Sequence, residues 1–450
     1  MPSSILDLAG VGIGPFNLSV AALLDPVDGV RARFFDRAAT SRWHSGLMLP
    51  GVRLQTSWLK DLVSAVAPTS PFSFTSYLVA HKRFYRFLNA DFDRIPRQEF
   101  ANYLAWVAGQ LDTLSFGTNI EALDFDGEAF VLTCAGGREG GREGGRGESR
   151  VRARNLVLAT GVRPFVPDWA ERHLSDRCFH AGRIAEAGLK ATGQRIAVIG
   201  GGQTGAEVMQ HLLADGCGAA DRTMWISRRA NFLPIDETAF TNEYFTPGYV
   251  ERFYALPPSR KAHMVEEQRL AGDGISTETI RDLYRRLYTL AHLEDRPDAA
   301  MLLPNRQVVG MDDVGGAYRL MMRNGLTGEI ETAWADVVIL ATGFQGAYPD
   351  CLGPLVRRLR FDTQGRFVLN RRFALEWDGP AENRIYVQNV GRYSHGIAEP
   401  QLSVMAWRSG VIVNDLLRRP LYDTEDGPDL LRWDAPVGRP DERPMLRSAE

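Results

Sequence analysis

Residues 196–209 read IAVIGGGQTGAEVM, a short apolar run followed by closely spaced glycines and a helix-forming segment. The glycines have the Gly-x-Gly-x-x-Gly spacing of a turn between a strand and a helix. Glycine there lets the backbone approach a pyrophosphate, which the helix N-terminus favours. The pattern therefore predicts a dinucleotide site. The expected contacts are Gly200, Gly202, Gln203, Thr204 and Gly205.

A second fingerprint of this kind lies in residues 5–24, ILDLAGVGIGPFNLSVAALL. This stretch is apolar and about as long as a membrane span, but its glycines, Asp7 and Asn17 favour a strand, a tight turn and a helix instead. Asn17 stands where the third glycine usually lies. Two fingerprints in one chain indicate two dinucleotide sites. The contacts expected in this one are Gly12, Gly14, Pro15 and Asn17.

The strand that follows each fingerprint distinguishes the two nucleotides. VRARFFDR ends in Asp36, a carboxylate suited to a ribose hydroxyl, whereas RTMWIS ends in Ser227-Arg228-Arg229, which suits a 2′-phosphate. We therefore expect FAD at the first site and NADPH at the second, with Arg228 as a cofactor contact. The alternative is that the two arginines are only a solvated strand end.

Two strands closed by Ala-Thr-Gly flank the second fingerprint: NLVLATG at 155–161 and DVVILATGF at 336–344. They indicate crossings between the nucleotide domains, with Gly343 at the cofactor. The predicted fold is α/β, with two Rossmann-like dinucleotide-binding domains and a small substrate-binding region at their junction. The expected division is residues 1–165 and 336–418 for FAD, 166–335 for NADPH with substrate-binding elements, and 419–450 for a polar C-terminal tail.

Two segments have a composition that cannot form a core. Residues 136–154, rich in Gly, Arg and Glu, predict a flexible loop between two strands, with RNA binding as a remote alternative. Residues 419–450, rich in Pro, Asp and Arg, predict a loosely held tail.

Global composition narrows the functional class. Of 450 residues, 44% are hydrophobic and 24% charged, and the net charge of −3 gives no reason to expect nucleic-acid binding. The four cysteines and eight histidines show no metal-binding spacing. We therefore expect a reduced cytoplasmic protein with no metal and no membrane partner.

Two classes of flavoprotein fit poorly. Disulfide reductases need a redox cysteine pair near the flavin, which Cys134 and Cys178 do not supply. Baeyer–Villiger monooxygenases have FxGxxxHxxxW before the second fingerprint, whereas this chain has Phe179-His180-Ala181-Gly182 there.

The chain resembles the L-lysine N6-hydroxylases and L-ornithine N5-hydroxylases, the N-hydroxylating flavin monooxygenases of siderophore biosynthesis. The matching strings are GIGPFNLS, FFDRAATSRWHSGLMLP, LQTSWLKDLVSAVAPTSPFSF, FLPIDETAFTNEYFTP and DVVILATGFQGAYP. The resemblance runs from about residue 5 to 415. Phe344 replaces the commoner tyrosine. LKDLVSAVAP is similar to the lysine hydroxylases, and the diamine hydroxylases usually lack its lysine.

The resemblance implies a reaction. NADPH reduces FAD, the reduced flavin captures O2 as a C4a-hydroperoxide, and the neutral side-chain amine of L-lysine attacks the distal oxygen, on the way to a hydroxamate siderophore. A free lysine amine has a pKa of about 10.4, so the site must favour its neutral form. No residue of the sequence must act as the base.

The resemblance also implies roles for individual residues. Asp36 to His44 would enclose FAD, and the contacts implied there are Arg37, Trp43 and His44. Gln55 would lie beside the flavin C4a edge, and Asn242 near both substrate and nicotinamide ribose. Lys60 would pair with the substrate carboxylate, Ser403 would lie near the substrate, and Gln401 and Leu402 beside the flavin. The alternatives are a core tryptophan, a surface lysine, and ordinary loop or capping residues.

Substrate identity is the least determined point. Ornithine hydroxylases have Asn-Tyr-Ser where this chain has Gly274-Ile275-Ser276, which argues against ornithine and leaves lysine or a diamine such as putrescine, cadaverine or a shorter one. Two other classes stay open: a flavin-dependent thiol or sulfide oxidoreductase, and a nucleotide-binding protein without catalysis. We expect a homo-oligomer, a dimer or tetramer.

Overall fold

The computed structural model describes residues 5–135, 149–346, 348–428 and 430–433. Their strands and helices form two large sheets, each with its own nucleotide fingerprint, two smaller antiparallel sheets and a helical insertion. The predicted α/β class with two Rossmann-like units is confirmed.

The first sheet combines strands from the first 158 residues with one strand from residues 385–387. Its strands are β1 (Leu6–Val11), β2 (Ala32–Asp36), β3 (Leu114–Phe116), β4 (Asn119–Phe125), β5 (Phe130–Ala135), β6 (Ser149–Leu158) and β17 (Ile385–Val387). They lie in the order β3-β2-β1-β6-β5-β4, and β17 also pairs with β6. β1 is parallel to β2 and β6, and its apolar residues 8–11 are buried on both faces.

Five helices cover this sheet: α1 (Pro15–Leu24), α2 (Phe74–Ala80), α3 (Phe84–Ala90), α4 (Arg97–Ala108) and α12 (Met405–Leu417). α1 and α12 pack on each other, and α1 is buried on nearly every side, which explains its uniformly apolar composition. The C-terminal part of the chain therefore belongs to the first nucleotide domain.

The second sheet is entirely parallel. Its strands are β8 (Cys178–His180), β9 (Arg195–Ile199), β10 (Arg222–Ile226), β11 (Ala300–Leu303) and β15 (Val337–Leu340), in the order β11-β10-β9-β15-β8. Helix α6 (Gln203–Leu213) follows β9, and the short α5 (Asp168–Glu171) precedes β8. A three-stranded antiparallel sheet of β12 (Arg306–Val314), β13 (Ala317–Asn324) and β14 (Ile330–Ala335) packs beside it.

The helical insertion lies between β10 and β11. It consists of α7 (Pro247–Ala255), α8 (Pro258–Glu267), α9 (Arg269–Asp273) and the amphipathic α10 (Thr277–His292). α10 packs on α6, while α7 and α8 contact the short α11 (Arg392–His395) of the first domain. The insertion therefore touches both nucleotide domains.

One expected boundary is wrong by a strand. β15 pairs with β9 in the register Val337↔Ile196 and so belongs to the second sheet, whereas the division at residue 336 assigned it to the FAD domain. The chain returns to the first nucleotide domain after β15, one strand later than expected. There β16 (Phe344–Gly346) pairs antiparallel with β7 (Val162–Pro164), the outgoing crossing. The two Ala-Thr-Gly turns lie directly before these two crossing strands.

The low-complexity predictions need correction at their edges. Residues 149–154 are the start of strand β6, which pairs with β5, while 136–148 lie outside the described residues. The beginning of the tail is packed: the Tyr422 hydroxyl donates to the Leu23 carbonyl, and Trp433 contacts Tyr249. Residues 434–450 lie outside the description. Among the described helices, none is long and apolar enough to cross a membrane.

Candidate active site

The two glycines of the first fingerprint, Gly12 and Gly14, have different roles. Gly12 has φ +87°, and a Cβ there would lie 2.4 Å from the Ala159 carbonyl oxygen, so the fold itself requires glycine. Gly14 has ordinary extended backbone, and a Cβ there would meet nothing within 4 Å. The open space in front of Gly14 and the N-terminus of α1, with Pro15 in its first turn, fits a pyrophosphate.

Asn17 is a structural residue rather than a surface contact. It is fully buried, and its amide donates to the Gly12 carbonyl at 2.8 Å and to the Val157 carbonyl at 3.2 Å. The side chain therefore ties the glycine turn to β6, and its predicted nucleotide contact can be only indirect.

Asp36 supports the same turn from the next strand. One carboxylate oxygen accepts the Ile13 N–H at 2.7 Å and the other accepts the Ala38 N–H at 2.8 Å. This fixes the carboxylate at the end of β2, where a ribose would lie. Arg37 beside it is exposed.

The second fingerprint repeats this design. Gly200 has φ +135°, and a Cβ there would lie 2.0 Å from the Ala341 carbonyl oxygen in the second Ala-Thr-Gly turn. A Cβ on Gly205 would lie 2.1 Å from the Gly200 oxygen, which accepts the Trp225 indole N–H at 2.8 Å. A Cβ on Gly202 would meet nothing closer than an Asp273 oxygen at 3.9 Å. Gly202, like Gly14, faces the open nucleotide side.

The side chain of Gln203 is hydrogen-bonded to other residues of the protein. The amide accepts the Ser276 N–H at 2.8 Å and donates to Glu207 at 3.0 Å, which joins α6 to the start of α10. A contact from Gln203 to a nucleotide is therefore left to its backbone N–H. Thr204 is partly exposed in the first turn of α6.

The two arginines expected at the end of β10 have different environments in the structure. Arg229 donates to an Asp273 carboxylate oxygen at 2.6 Å and to the Asp273 carbonyl at 2.8 Å. Ser227 is buried and accepts the Arg229 N–H. Arg228 alone is exposed, and it has no partner among the described residues. Of the pair, Arg228 is the one available to a 2′-phosphate.

Trp43 and His44 lie on the loop that leaves β2. Trp43 is half-buried and packs edge-on against Phe100, so it is partly a core residue. His44 is exposed, has φ +53°, and contacts the Trp43 ring at 4.6 Å. Gly46 follows closely, and a Cβ there would lie 1.9 Å from the Gly182 carbonyl oxygen of the other domain. This loop is therefore held at the junction of the two domains.

Gln55, Asn242 and Ser403 come from distant parts of the sequence and converge through shared neighbours. The Thr56 and Ser403 hydroxyls are 3.4 Å apart. Gln55 is exposed beside them, and its carbonyl accepts a bond from Arg94. Arg94 also pairs with Glu237, whose carbonyl accepts the Asn242 amide at 3.2 Å.

Lys60 lies one turn further along the same loop, and its N–H donates to the Ser57 carbonyl at 3.1 Å. The side chain is half-buried, and burial lowers the pKa of its ammonium. Among the residues that the structure describes, this ammonium makes no hydrogen bond or ion pair. A half-buried cation without a partner favours an anionic ligand.

Gln401 and Leu402 lie in the sequence between Glu399 and Arg408, which form a buried ion pair. Arg408 and Glu399 are completely buried and 2.9 Å apart, and Arg408 also donates to Gln388, which in turn donates to Asn17. This network ties the turn before α12 to the first fingerprint. The position of Gly272 places the Gln401 amide next to α9 of the insertion, since a Cβ on that glycine would lie 3.6 Å from it.

Gly343 lies at the second crossing with φ +86°. Its carbonyl oxygen is 2.9 Å from His180 Nε2, and the Gly182 N–H donates to the other ring nitrogen. His180 must therefore be the neutral tautomer that donates from Nε2, and its role is to hold the crossing.

Four side chains that the sequence reasoning did not single out shape the site: Arg94, Glu237, Asp273 and Arg408. Two of these residues are indicated by their local sequence. Glu237 lies inside the quoted FLPIDETAF string, and Arg408 is a lone cation in an apolar helix. Arg94 and Asp273 lie in ordinary polar stretches, and only the fold brings them to the site.

In the part of the chain described, neither the cysteines nor the potential metal ligands support thiol or metal chemistry. The four cysteines are free, and burial raises the pKa of the Cys178 and Cys351 thiols to about 11. No group of three or more His, Cys, Asp or Glu side chains among these residues could hold a metal ion.

Two Rossmann-like domains joined by paired crossings, with converging amides at their junction, define a two-nucleotide flavoprotein. The family described as L-lysine 6-monooxygenase/L-ornithine 5-monooxygenase matches residues 4–346, and the chain belongs to this family. The protein is therefore a flavin N-monooxygenase, and the expected use of FAD and NADPH is confirmed.

Individual relatives cover nearly the whole chain. The L-lysine N6-monooxygenase of Escherichia coli is 40% identical over 428 residues, which are 95% of this chain and 98% of the relative. The FAD-bound cadaverine monooxygenase DfoA of Erwinia amylovora superposes with a TM-score of 0.89 at 25% identity, covering 97% and 100% of the two chains. The ornithine N-hydroxylase of Kutzneria sp. 744 has a TM-score of 0.83 at 28% identity, with 92% and 99% covered.

Proposed function

We propose that the protein hydroxylates the side-chain amine of L-lysine, with FAD bound at the first fingerprint and NADPH at the second. Bound FAD, reduced by NADPH, supplies the activation of O2. The chain's own residues bind and orient the amino acid at the junction of the two domains.

The observation that supports lysine is Lys60. Its ammonium is half-buried and without a partner among the described side chains, and its pKa is lowered by burial. An amino acid brings a carboxylate that compensates this buried charge through a charge-assisted bond, whereas a diamine brings a second cation that would be repelled.

Gly274 supports the exclusion of ornithine. A Cβ at this position would lie 2.2 Å from the Ile235 backbone, so the asparagine that ornithine hydroxylases have in this string does not fit here. The Ile235 N–H donates to the Ile275 carbonyl at 2.8 Å, which holds the two segments together.

The two residues assigned to the reaction, Gln55 and Asn242, offer no acceptor for the proton of the substrate amine. Gln55 and Asn242 are amides, and neither can take a proton near neutral pH. The amine therefore reacts in the fraction that is already neutral, and the site contributes position rather than base catalysis.

The test is a panel of L-lysine, L-ornithine, putrescine and cadaverine, scored as hydroxylamine formed per NADPH oxidised. We expect lysine to couple best. Lys60→Ala should raise the KM for lysine by about 10- to 100-fold, the value of one charge-assisted bond, while NADPH oxidation continues and releases hydrogen peroxide. Lys190→Ala, which removes an exposed lysine, is the matched control.

A diamine is the second candidate, favoured by the likeness to the cadaverine monooxygenase. Better coupling with cadaverine or putrescine than with lysine in the native enzyme would establish the diamine and assign Lys60 a structural role. The expected dimer or tetramer is a separate proposal, which sedimentation of the holoenzyme tests.

A further inference from the structure

Arg94 lies where the two nucleotide domains meet at the site. Its guanidinium donates to the Gln55 carbonyl and to the Glu237 carboxylate, and the Glu237 carbonyl accepts the Asn242 amide at 3.2 Å. The chain of bonds therefore runs from one residue assigned to the reaction to the other. Arg94 and Glu237 are mostly buried, with side-chain exposures of 21% and 29%.

The backbone around Arg94 is held rigidly against the flavin-side loop. The Leu54 N–H donates to the Ile95 carbonyl at 2.9 Å, and the Arg97 N–H donates to the Val52 carbonyl at 3.0 Å. This short antiparallel pairing fixes Arg94 beside Gln55. The other end of the bridge, Glu237, belongs to the second nucleotide domain.

Two neighbouring arginines also pair with glutamates of the NADPH domain. Arg97 pairs with the buried Glu207 at 2.7 Å, and Arg53 pairs with Glu278 at the exposed rim. Neither pair is hydrogen-bonded to Gln55 or Asn242 in the described part of the chain, so among these three contacts the Arg94–Glu237 pair is the one that acts on the assigned residues.

We propose that Arg94 and Glu237 are positioning residues that set the distance between Gln55 and Asn242, and so between the flavin edge and the reacting amine. The inference rests on the proposed N-hydroxylation with those two amides at the reacting atoms. A displacement of about 1 Å in such a site can cost on the order of 100-fold in rate, so a loosened pair uncouples oxygen activation from amine hydroxylation.

The experiment compares Glu237→Gln with Glu278→Gln in the FAD-loaded full-length protein. Both changes are isosteric and each removes one interdomain ion pair. Hydroxylamine and hydrogen peroxide are measured per NADPH oxidised, together with flavin content and Tm. We expect Glu237→Gln to lower the hydroxylamine yield about threefold or more and raise peroxide, with flavin content and Tm unchanged, and Glu278→Gln to behave as native.

Arg94 provides the second pair of variants. Arg94→Lys keeps the charge but loses the fork that bridges two acceptors, so its coupling should fall between the native enzyme and Arg94→Ala. Such graded recovery would not follow from a loss of folding, which Tm would report.

Three outcomes overturn the inference. Glu237→Gln could couple like native enzyme, both glutamate variants could uncouple equally, or the lost coupling could follow lost flavin or Tm. A native enzyme that couples no amine at all would instead refute the proposed function, and the inference with it, so the two failures are distinguishable.

Discussion

Replacing Gly14 by valine should separate nucleotide binding from folding. Gly14 has φ −87° and ψ −178°, which valine adopts readily, and a Cβ there meets nothing within 4 Å. The added side chain therefore projects only into the space where the FAD pyrophosphate must approach the N-terminus of α1.

The structure sets the size of both effects. Gly14 is the N-cap of α1, a position where glycine is preferred to valine, so the replacement costs up to about 1 kcal/mol of folding stability. A pyrophosphate held away from the backbone loses about two charge-assisted hydrogen bonds of roughly 1.5–3 kcal/mol each. The Kd for FAD should therefore rise by about 100- to 10,000-fold.

The assay titrates FAD into apoprotein and follows flavin fluorescence, with Tm as the measure of folding. Gly202→Val is the matched variant in the second fingerprint, where the nearest atom to a Cβ is 3.9 Å away. It should keep FAD and raise the KM for NADPH about 100-fold or more. Gly12→Val should instead fail to fold, because φ is +87° and its Cβ would lie 2.4 Å from the Ala159 oxygen.

Two results would refute this reasoning. Gly14→Val could bind FAD as tightly as native protein, which would mean that the pyrophosphate does not approach that turn. Gly202→Val could lose FAD and leave the KM for NADPH unchanged, which would mean that the two nucleotides are assigned to the wrong fingerprints.

Three further predictions concern charge and pH. Arg228→Ala should raise the KM for NADPH about tenfold with less effect on NADH, and equal use of both cofactors by native enzyme would contradict the assignment of Arg228 to the 2′-phosphate. Because burial lowers the pKa of Lys60, the KM for lysine should rise as pH is raised from 7 towards 10, and Lys60→Ala should remove that rise; an unchanged profile would show that the ammonium does not bind substrate. His395 is buried and its pKa is lowered from 6.5 to about 3, chiefly by burial, so the stability present above pH 6.5 is lost as pH falls, by about 2 kcal/mol between pH 7 and 5. Melting temperatures should therefore fall more steeply with acid in native protein than in His395→Gln, and parallel curves would contradict this.

The sequence alone determined the class and the framework of the fold. Gly-x-Gly turns between apolar strands and helices are local patterns, because the backbone near a pyrophosphate and the first turn of a helix impose their own residue types. For the same reason Asp36 and the two Ala-Thr-Gly turns could be placed in order along the chain. The family motifs then indicated which amides and which lysine to follow.

Composition was a poorer guide at the edges of elements. Composition predicts a loop at the Arg-rich start of β6 and a loosely held tail from residue 419, but both segments are packed where the structure describes them. Both are fixed by partners elsewhere in the chain, β5 in one case and α1 in the other. Neither partner leaves a mark in the local sequence.

Only the tertiary structure decided which of several similar residues does what. Gly12 and Gly14 cannot be distinguished in the sequence. In the structure the Ala159 carbonyl leaves no room for a side chain at Gly12, whereas Gly14 faces open space. Arg228 and Arg229 are adjacent in the sequence, but only Arg229 forms an ion pair with Asp273, which lies 44 residues further along the chain. Arg94 and Glu237 are 143 residues apart and meet only because two domains close on each other. Sequence patterns report what a segment requires of its own backbone, whereas ion pairs and close contacts depend on which distant segment the fold brings beside it.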